Sequence, residues 1–320
     1  MHATDVWEGR SPGAWAARLA LSPVSVLYAL GWEAYLGVYR LGFKRAKHPH
    51  RPILCVGNLM VGGSGKSPVT HFLASALQEL GREVVIGCSG YGSPRAEGAS
   101  LAPDGPLSPR EWGDEPAMFR WLLPQVPLIV GRARVRAAEI CAERHPNAVL
   151  LMDDGFQHLP LKKDLSILLD PEKPRNAWCL PAGPYREPRW NRARADLVLP
   201  GKFEVRPSRC FLEPEADLGG AVSALCALGN PERFFATVRD ELGLELGHRL
   251  ALPDHDPLDR PGLFDPLPAD LPVLVTAKDW VKLRERPDIG SRRVLVVRRD
   301  VTIEPRAEFV QWLRTKLDGI

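Results

Sequence analysis

The chain has 320 residues, 45% of them hydrophobic and 25% charged, a balance that excludes a disordered chain. Its 42 lysines and arginines against 39 aspartates and glutamates leave a net charge of +3, too even to bind nucleic acid through bulk charge. Six scattered cysteines without a CxxC pair read as buried thiols in a reducing compartment, not as a disulfide framework or a zinc site.

In chain order, residues 19–32 form an uncharged stretch containing Pro23. It is shorter than the ~20 apolar residues of a spanning helix, and it lacks the basic front and cleavage site of a signal peptide. Trp32, Tyr35, Tyr39 and Phe43 follow, then Lys44, Arg45 and Lys47. This order fits a helix lying in a membrane interface, or one packed on the protein's own core. Residues 52–56 (PILCV) read as a buried parallel strand. After a glycine-rich loop, Val69, Phe72, Leu73, Ala76, Leu77 and Leu80 recur on one face of a helix that Gly81 ends and that tolerates Pro68 in its first turn. Residues 83–87 are the next strand, completing a βαβ unit.

Residues 92–109 read as a surface loop, 115–123 and 135–144 as helices, and 127–130, 148–152, 165–169 and 196–199 as strands. This alternation predicts a doubly wound α/β domain. Periodicity weakens over 202–218, where a second unit is expected to begin, with strands at 222–228, 272–276 and 293–297 and a closing helix at 308–317. The expected organisation is a helical segment over 1–48, a core over 49–201 and a smaller C-terminal α/β lobe over 202–320.

The sharpest local signal is Gly62-Gly63-Ser64-Gly65-Lys66-Ser67, between a strand and a helix. Glycines let backbone N–H groups turn inward around phosphate oxygens, and the helix N-terminus adds positive potential. Lys66 would reach the β- and γ-phosphates of a nucleotide and the Ser67 hydroxyl would bind Mg²⁺, although the usual GxxxxGK[ST] pattern has glycine where this chain has Met60. Asp153-Asp154 ends an apolar strand, facing the crevice where α/β folds bind ligands; it can hold Mg²⁺ or merely cap the next element. Gly155-Phe156-Gln157-His158 then adds polar groups. Asp114, in Gly113-Asp114-Glu115-Pro116, is either an N-cap or a general base for an acceptor hydroxyl. The rigid segment 180–188 presents Arg186 beside Glu187, as a clamp or a connector, and Asp254-His255 stands in a Pro/Asp-rich loop. Arg132, Arg134 and Arg136 form one basic cluster, and Arg186, Arg189, Arg192 and Arg194 another. Both are solvated faces unless a phosphate site adjoins them.

Taken together, VGNLMVGGSGKSP (56–68), GYG (90–92), GDEP (113–116), DDGFQH (153–158), LPAGPYREP (180–188), NPERFF (230–235), DH (254–255) and KDWVKL (278–283) closely resemble one family. It is tetraacyldisaccharide 4'-kinase, the lipid A 4'-kinase of Gram-negative bacteria. The resemblance implies a P-loop NTPase-like, mostly parallel α/β fold. It also implies a kinase moving the γ-phosphate of ATP, with Mg²⁺, to the 4'-hydroxyl of tetraacyldisaccharide 1-phosphate. Its work would be at the cytoplasmic face of the inner membrane, with the N-terminal helix dipping into lipid and with no nucleic acid or obligate protein partner. Carried over by position, Gly62, Gly63, Ser64, Gly65, Lys66 and Ser67 bind ATP, while Ser67, Asp153, Asp154 and Glu187 surround the metal. Asp114 is the base with His255 as its partner, and Asn58, Gln157, His158 and Arg186 meet the substrate. Two departures stand out. Cys88-Ser89 replaces the Ser-Arg usual before GYG, and Thr276-Ala277-Lys278-Asp279 replaces Thr-Glu-Lys-Asp. The rival reading is a P-loop ATPase switch; a GTPase would need an NKxD element that TAKD does not supply.

Overall fold

A computed structural model describes residues 3–62 and 65–320. Helix α1 (Ala3–Glu8) precedes α2 (Pro12–Arg40), whose first turn is capped by the Ser11 side chain accepting from Ala14 N. Pro23 sits inside this continuous 29-residue helix. Its missing N–H leaves the Leu19 carbonyl without a helical donor, and Ser22 Oγ donates to that carbonyl at 2.8 Å. The helix therefore outruns the uncharged stretch seen in the sequence, and by length and composition alone it could cross a membrane. One of its faces is nevertheless docked. Ser25 Oγ donates to Cys179 O and accepts from Ala182 N, both at 2.9 Å, and Tyr28 Oη donates to Arg186 O at 2.8 Å. Glu33 Oε1 accepts from Trp190 Nε1 at 3.0 Å and from Asn191 Nδ2 at 2.9 Å.

The first sheet contains β1 (Ile53–Asn58), β2 (Val84–Cys88), β3 (Ser100–Leu101), β4 (Leu128–Val130), β5 (Val149–Asp153), β6 (Leu165–Leu169) and β7 (Leu197–Leu199). Their order is β3-β4-β2-β5-β1-β6-β7, with β3 antiparallel on one edge and the others parallel. The helices between them are α3 (Lys66–Glu79), α4 (Pro109–Trp112), α5 (Asp114–Leu122) and α6 (Arg134–Arg144). Alternate strand residues serve opposite faces, as the pleat requires. Leu54 and Val56 join Val69, Phe72 and Phe119 of α3 and α5, while Ile53 and Cys55 join Ala137, Ala138 and Cys141 of α6. Helices cover both faces, so the doubly wound expectation holds.

The second sheet contains β8 (Glu204–Glu213), β9 (Val222–Ala227), β10 (Leu246–Leu252), β11 (Val273–Thr276) and β12 (Val294–Glu304), in the order β10-β9-β11-β12-β8. Helices α7 (Pro231–Ala236) and α8 (Ala277–Leu283) belong to this region, and β8 pairs antiparallel with β12 along a long ribbon. The last helix, α9 (Arg306–Asp318), does not close the C-terminal lobe. Its Phe309, Leu313 and Leu317 are buried in the core of the first sheet, with Phe72 and Phe203. The cause is β12, whose Ile303 already lies in that same core and so delivers the helix there.

Candidate functional site

The turn after β1 enters α3 at Lys66, with Gly65 left-handed at φ 78 and Gly62 at φ 102. Gly63 and Ser64 lie outside the described residues, and Ser67 is half-buried in the first turn of α3. Lys66 Nζ donates to Asn58 Oδ1 at 3.1 Å and stands 3.6 Å from Asp154 Oδ2. Asn58 is itself buried at the end of β1, so the strand fixes the group that steers the lysine.

Asp153 ends β5, the neighbour of β1, and its buried Oδ1 accepts from Thr70 Oγ1 at 3.0 Å. Burial, and then the negative charge of Glu115, push its carboxyl up to about 7. Asp154 follows at φ 56, and both of its oxygens take Arg186 N–H groups at 3.1 Å. Burial would raise its carboxyl, but Lys66 and Arg186 outweigh this and hold it below the usual carboxylate range. A buried carboxylate with a hydroxyl donor and, among the described residues, no ion pair, as at Asp153, suits a divalent cation. Among the described residues no group of three or more His, Cys, Asp or Glu is placed to hold a metal alone. Nucleotide oxygens would have to complete the shell.

Glu187 departs from the expected metal role. It is fully buried, Oε1 accepts from Gln157 Nε2 at 3.0 Å, and Oε2 is paired with Arg194. With both oxygens occupied by protein donors, it ties segment 180–188 to the turn after β5. Gln157 Nε2 and Arg186 Nη2 also reach Asn58 O at 2.8 and 3.2 Å, and Arg186 contacts Asn58 Oδ1 as well. Segment 180–188 is therefore more than a connector: Val61 N donates to Pro184 O, and Arg186 N to Leu59 O. Burial, then the charges of Lys163 and Arg134, push His158 down to about 4, so its imidazole is neutral at physiological pH.

The capping reading of Asp114 does not survive. Gly113 is the N-cap of α5, and no side chain caps the helix. Gly113 has φ 92, and a Cβ there would lie 3.2 Å from Tyr91 O, so glycine is required where the turn presses on the GYG segment. The Asp114 carboxylate points instead to His255 Nδ1 at 3.3 Å and Lys282 Nζ at 3.6 Å. His255 Nε2 lies 3.3 Å from Lys278 Nζ, which reaches Asp254 Oδ1 at the same distance. Burial would raise the Asp114 carboxyl, but the His255 hydrogen bond and the charges of Lys282 and Lys278 outweigh it and hold it low. Gly113 also packs on Gly90, just beyond β2, the strand beside β5, so the start of α5 and the aspartate pair share one edge of the sheet, where Glu115 adds its charge.

Sequence reasoning assigned no role to Lys278 and Lys282, although their spacing in KDWVKL sets both on one face of α8. It also missed Thr70, one turn beyond Lys66, and the role of Arg134. Buried Arg134 donates from Nη2 to Asp153 O at 2.9 Å and to Asp154 O at 3.1 Å, fixing the turn that aims the pair. Arg136, by contrast, is a surface residue paired with Glu139 and Glu143.

Phosphate-handling groups gathered at the carboxyl edge of a doubly wound sheet place the chain in the P-loop NTPase-like class. Comparison narrows the class. The family model for tetraacyldisaccharide-1-P 4'-kinase matches residues 17–318. A tetraacyldisaccharide 4'-kinase of Verminephrobacter eiseniae is 40% identical, the match covering 87% of this chain and 67% of that one. Another, of Herminiimonas arsenicoxydans, is 33% identical over 98% of this chain and 94% of its own. A crystal structure of LpxK from Aquifex aeolicus in complex with ATP superposes with a TM-score of 0.80 at 28% identity, covering 94% of this chain and 99% of that one. The chain belongs to the tetraacyldisaccharide-1-P 4'-kinase family.

Proposed function

We propose that this chain transfers the γ-phosphate of ATP to the 4'-hydroxyl of tetraacyldisaccharide 1-phosphate, a step of lipid A biosynthesis. The observation that carries this reading beyond nucleotide binding is the orientation of Asp114. Freed from capping, its carboxylate is held ionised by His255 and Lys282 on the sheet edge where Lys66 and the aspartate pair stand. In this reading Asp114 takes the proton of the acceptor hydroxyl as the new O–P bond forms and the bond to the ADP oxygen breaks. Lys66 neutralises the moving phosphoryl charge, Arg186 holds Asp154, and His255 orients Asp114. Asn58, Gln157, His158 and Arg186 shape the surroundings of the transferred group. Gly62, Gly63, Ser64 and Gly65 cradle the nucleotide, and Ser67 and Asp153 would hold Mg²⁺, whose positive charge would offset that of the phosphate oxygens, while Asp154, with both oxygens on Arg186, lines the site beside them.

The outward face of α2 supports work at a membrane surface. Trp15, Leu19, Val24, Val26, Leu27 and Leu30 are exposed on it, and Leu41 and Phe43 are exposed beyond its end, next to exposed Lys44, Arg45 and Lys47. An apolar stripe ending in positive charge suits insertion at the headgroup level of an anionic leaflet. The opposite face is bonded to the 180–188 segment, which argues for a helix lying on the surface; with ATP as the donor, that surface is the cytoplasmic side of the inner membrane. A switch ATPase has no use for such a face beside its site.

The test is transfer from γ-labelled ATP to detergent-dispersed tetraacyldisaccharide 1-phosphate. Label is expected in the lipid, and Lys66→Ala is expected to abolish it. Label released only as free phosphate, equally with and without lipid, would replace the kinase by the ATPase.

A further inference from the structure

The first basic cluster divides sharply. Arg134 is buried on backbone carbonyls and Arg136 is paired with glutamates, but the exposed Arg132 side chain has no hydrogen bond or ion pair among the described residues. Its guanidinium lies 5.4 Å from the centroid of the Tyr91 ring. The Tyr91 ring is in turn 5.4 Å from the ring of His255, the residue that holds Asp114. Arg132 thus stands at the end of a row that runs through Tyr91 and His255 to the candidate base.

Its backbone is fixed. Arg132 N donates to Ala96 O at 2.8 Å and Ala133 N to Gly98 O at 3.1 Å, while a Cβ on Gly131 would strike Gly98 O at 1.9 Å. Only glycine allows the chain to leave β4 this closely against the 96–99 loop. The side chain is therefore launched from a rigid base at the carboxyl end of a parallel strand. The carboxylates beside His255 are already matched: Asp114 faces Lys282, and Asp254 faces Lys278. A guanidinium seated on an aromatic face keeps its N–H edge available, and the ligand group that suits such an edge is a phosphate.

The position also answers a gap. Ser89 follows β2 where the family pattern carries arginine, and β4 is the strand beside β2, with Gly131 N donating to Cys88 O at 2.9 Å. We propose that Arg132 donates to a phosphate oxygen of a bound substrate beside the Asp114–His255 pair, supplying from β4 the cation that position 89 lacks. This rests on the phosphotransfer reading above. The phosphate belongs either to ATP or to the acceptor's 1-phosphate.

The experiment compares the unsubstituted chain, Arg132→Ala, Arg132→Lys and the double variant Arg132→Ala/Ser89→Arg in the labelled-lipid assay, each substrate being varied in turn. Loss of one charge-assisted hydrogen bond corresponds to a fall in kcat/KM of roughly 10- to 100-fold, with Arg132→Lys intermediate. A rise confined to the KM for ATP assigns the contact to the nucleotide, and one confined to the acceptor assigns it to the 1-phosphate. The double variant is expected to recover most of the loss. Arg132→Ala with an unchanged melting temperature and kcat/KM within about twofold of the parent for both substrates overturns the proposal, as does a loss that Ser89→Arg leaves uncorrected. If the unsubstituted chain labels no lipid, the kinase reading itself fails, a result distinct from either of these.

Discussion

At the scale of single residues, the Asp114 carboxylate and the Lys282 ammonium beside it decide the chemistry. Asp114 is held below the usual carboxylate range against the pull of burial, by His255, Lys282 and Lys278. Asp114→Asn is expected to lower kcat on the order of 10²- to 10⁴-fold while leaving ATP affinity unchanged, as read by single-turnover kinetics against nucleotide titration. The sign of the pH effect follows from the same contacts. A folded value below the unfolded one stabilises the protein at neutral pH, and that stabilisation is lost as pH falls from about 4 through the folded value. The melting-temperature gap between parent and Asp114→Asn should therefore narrow in that acid window and stay constant above it. Lys282 is the other decisive side chain, nearly inaccessible between Asp114 at 3.6 Å and fully buried Asp279 at 3.3 Å. Lys282→Met leaves Asp279 buried without its cation and is expected to cost about 3 kcal/mol in urea unfolding, with Asp279→Asn restoring part of it. Most of the site was legible residue by residue, because phosphate chemistry demands glycine, lysine and acids at fixed places after strands. Glu187 was misread because adjacency to Arg186 says nothing about Arg194 and Gln157, which reach it only through the fold.

At the scale of elements, the parallel strands of the first sheet and the helices α3 and α6 were legible because each is apolar throughout or on one face, whereas the two-residue edge strand β3 lies inside the stretch read as a surface loop and carries no apolar run. What escaped lies mainly in the second sheet. Strands β8 and β10 are mostly exposed or half-buried and so lack a continuous apolar run, and α8 is too short to show a period. Helix α2, expected within the helical segment 1–48, outruns its uncharged stretch and runs through Pro23, where Ser22 supplies the Leu19 carbonyl with the donor that proline lacks, a local bond no hydropathy count registers. Its bonds to Cys179, Ala182 and Arg186 also mean that deleting it would disturb the site, so deletion cannot isolate the membrane role proposed for it. Substitution on the outward face does. Leu19→Glu/Leu27→Glu is expected to abolish sedimentation with vesicles containing anionic lipid while preserving turnover of detergent-dispersed acceptor. Retained sedimentation would assign membrane contact to another surface.

At the scale of the whole molecule, the chain order and the packing order differ. The polypeptide leaves the first sheet at β7, builds the second sheet, and returns along β12 to insert α9 into the core it left. Phe309 meets Phe72 at 5.9 Å and Phe203 at 5.4 Å between ring centroids, and it has no exposed surface. Because Phe72 belongs to α3, the helix that carries Lys66, the C-terminal residues support the nucleotide turn from behind. The site itself repeats this dependence from the front: Asp114 comes from the first sheet, while His255 and Lys282 come from the second. Neither unit is then complete without the other, and a division at residue 201 describes the sequence better than the core. Phe309→Ala removes a fully buried ring and is expected to cost about 3–5 kcal/mol, felt by both sheets in one cooperative transition. The measurement is urea unfolding followed at once by far-ultraviolet circular dichroism and by hydrogen exchange resolved to peptides of β1 and β11. Coincident midpoints, shifted together by Phe309→Ala, are the expected result. A shift confined to β11 would mean that α9 serves the C-terminal lobe after all, and that the first sheet stands without it.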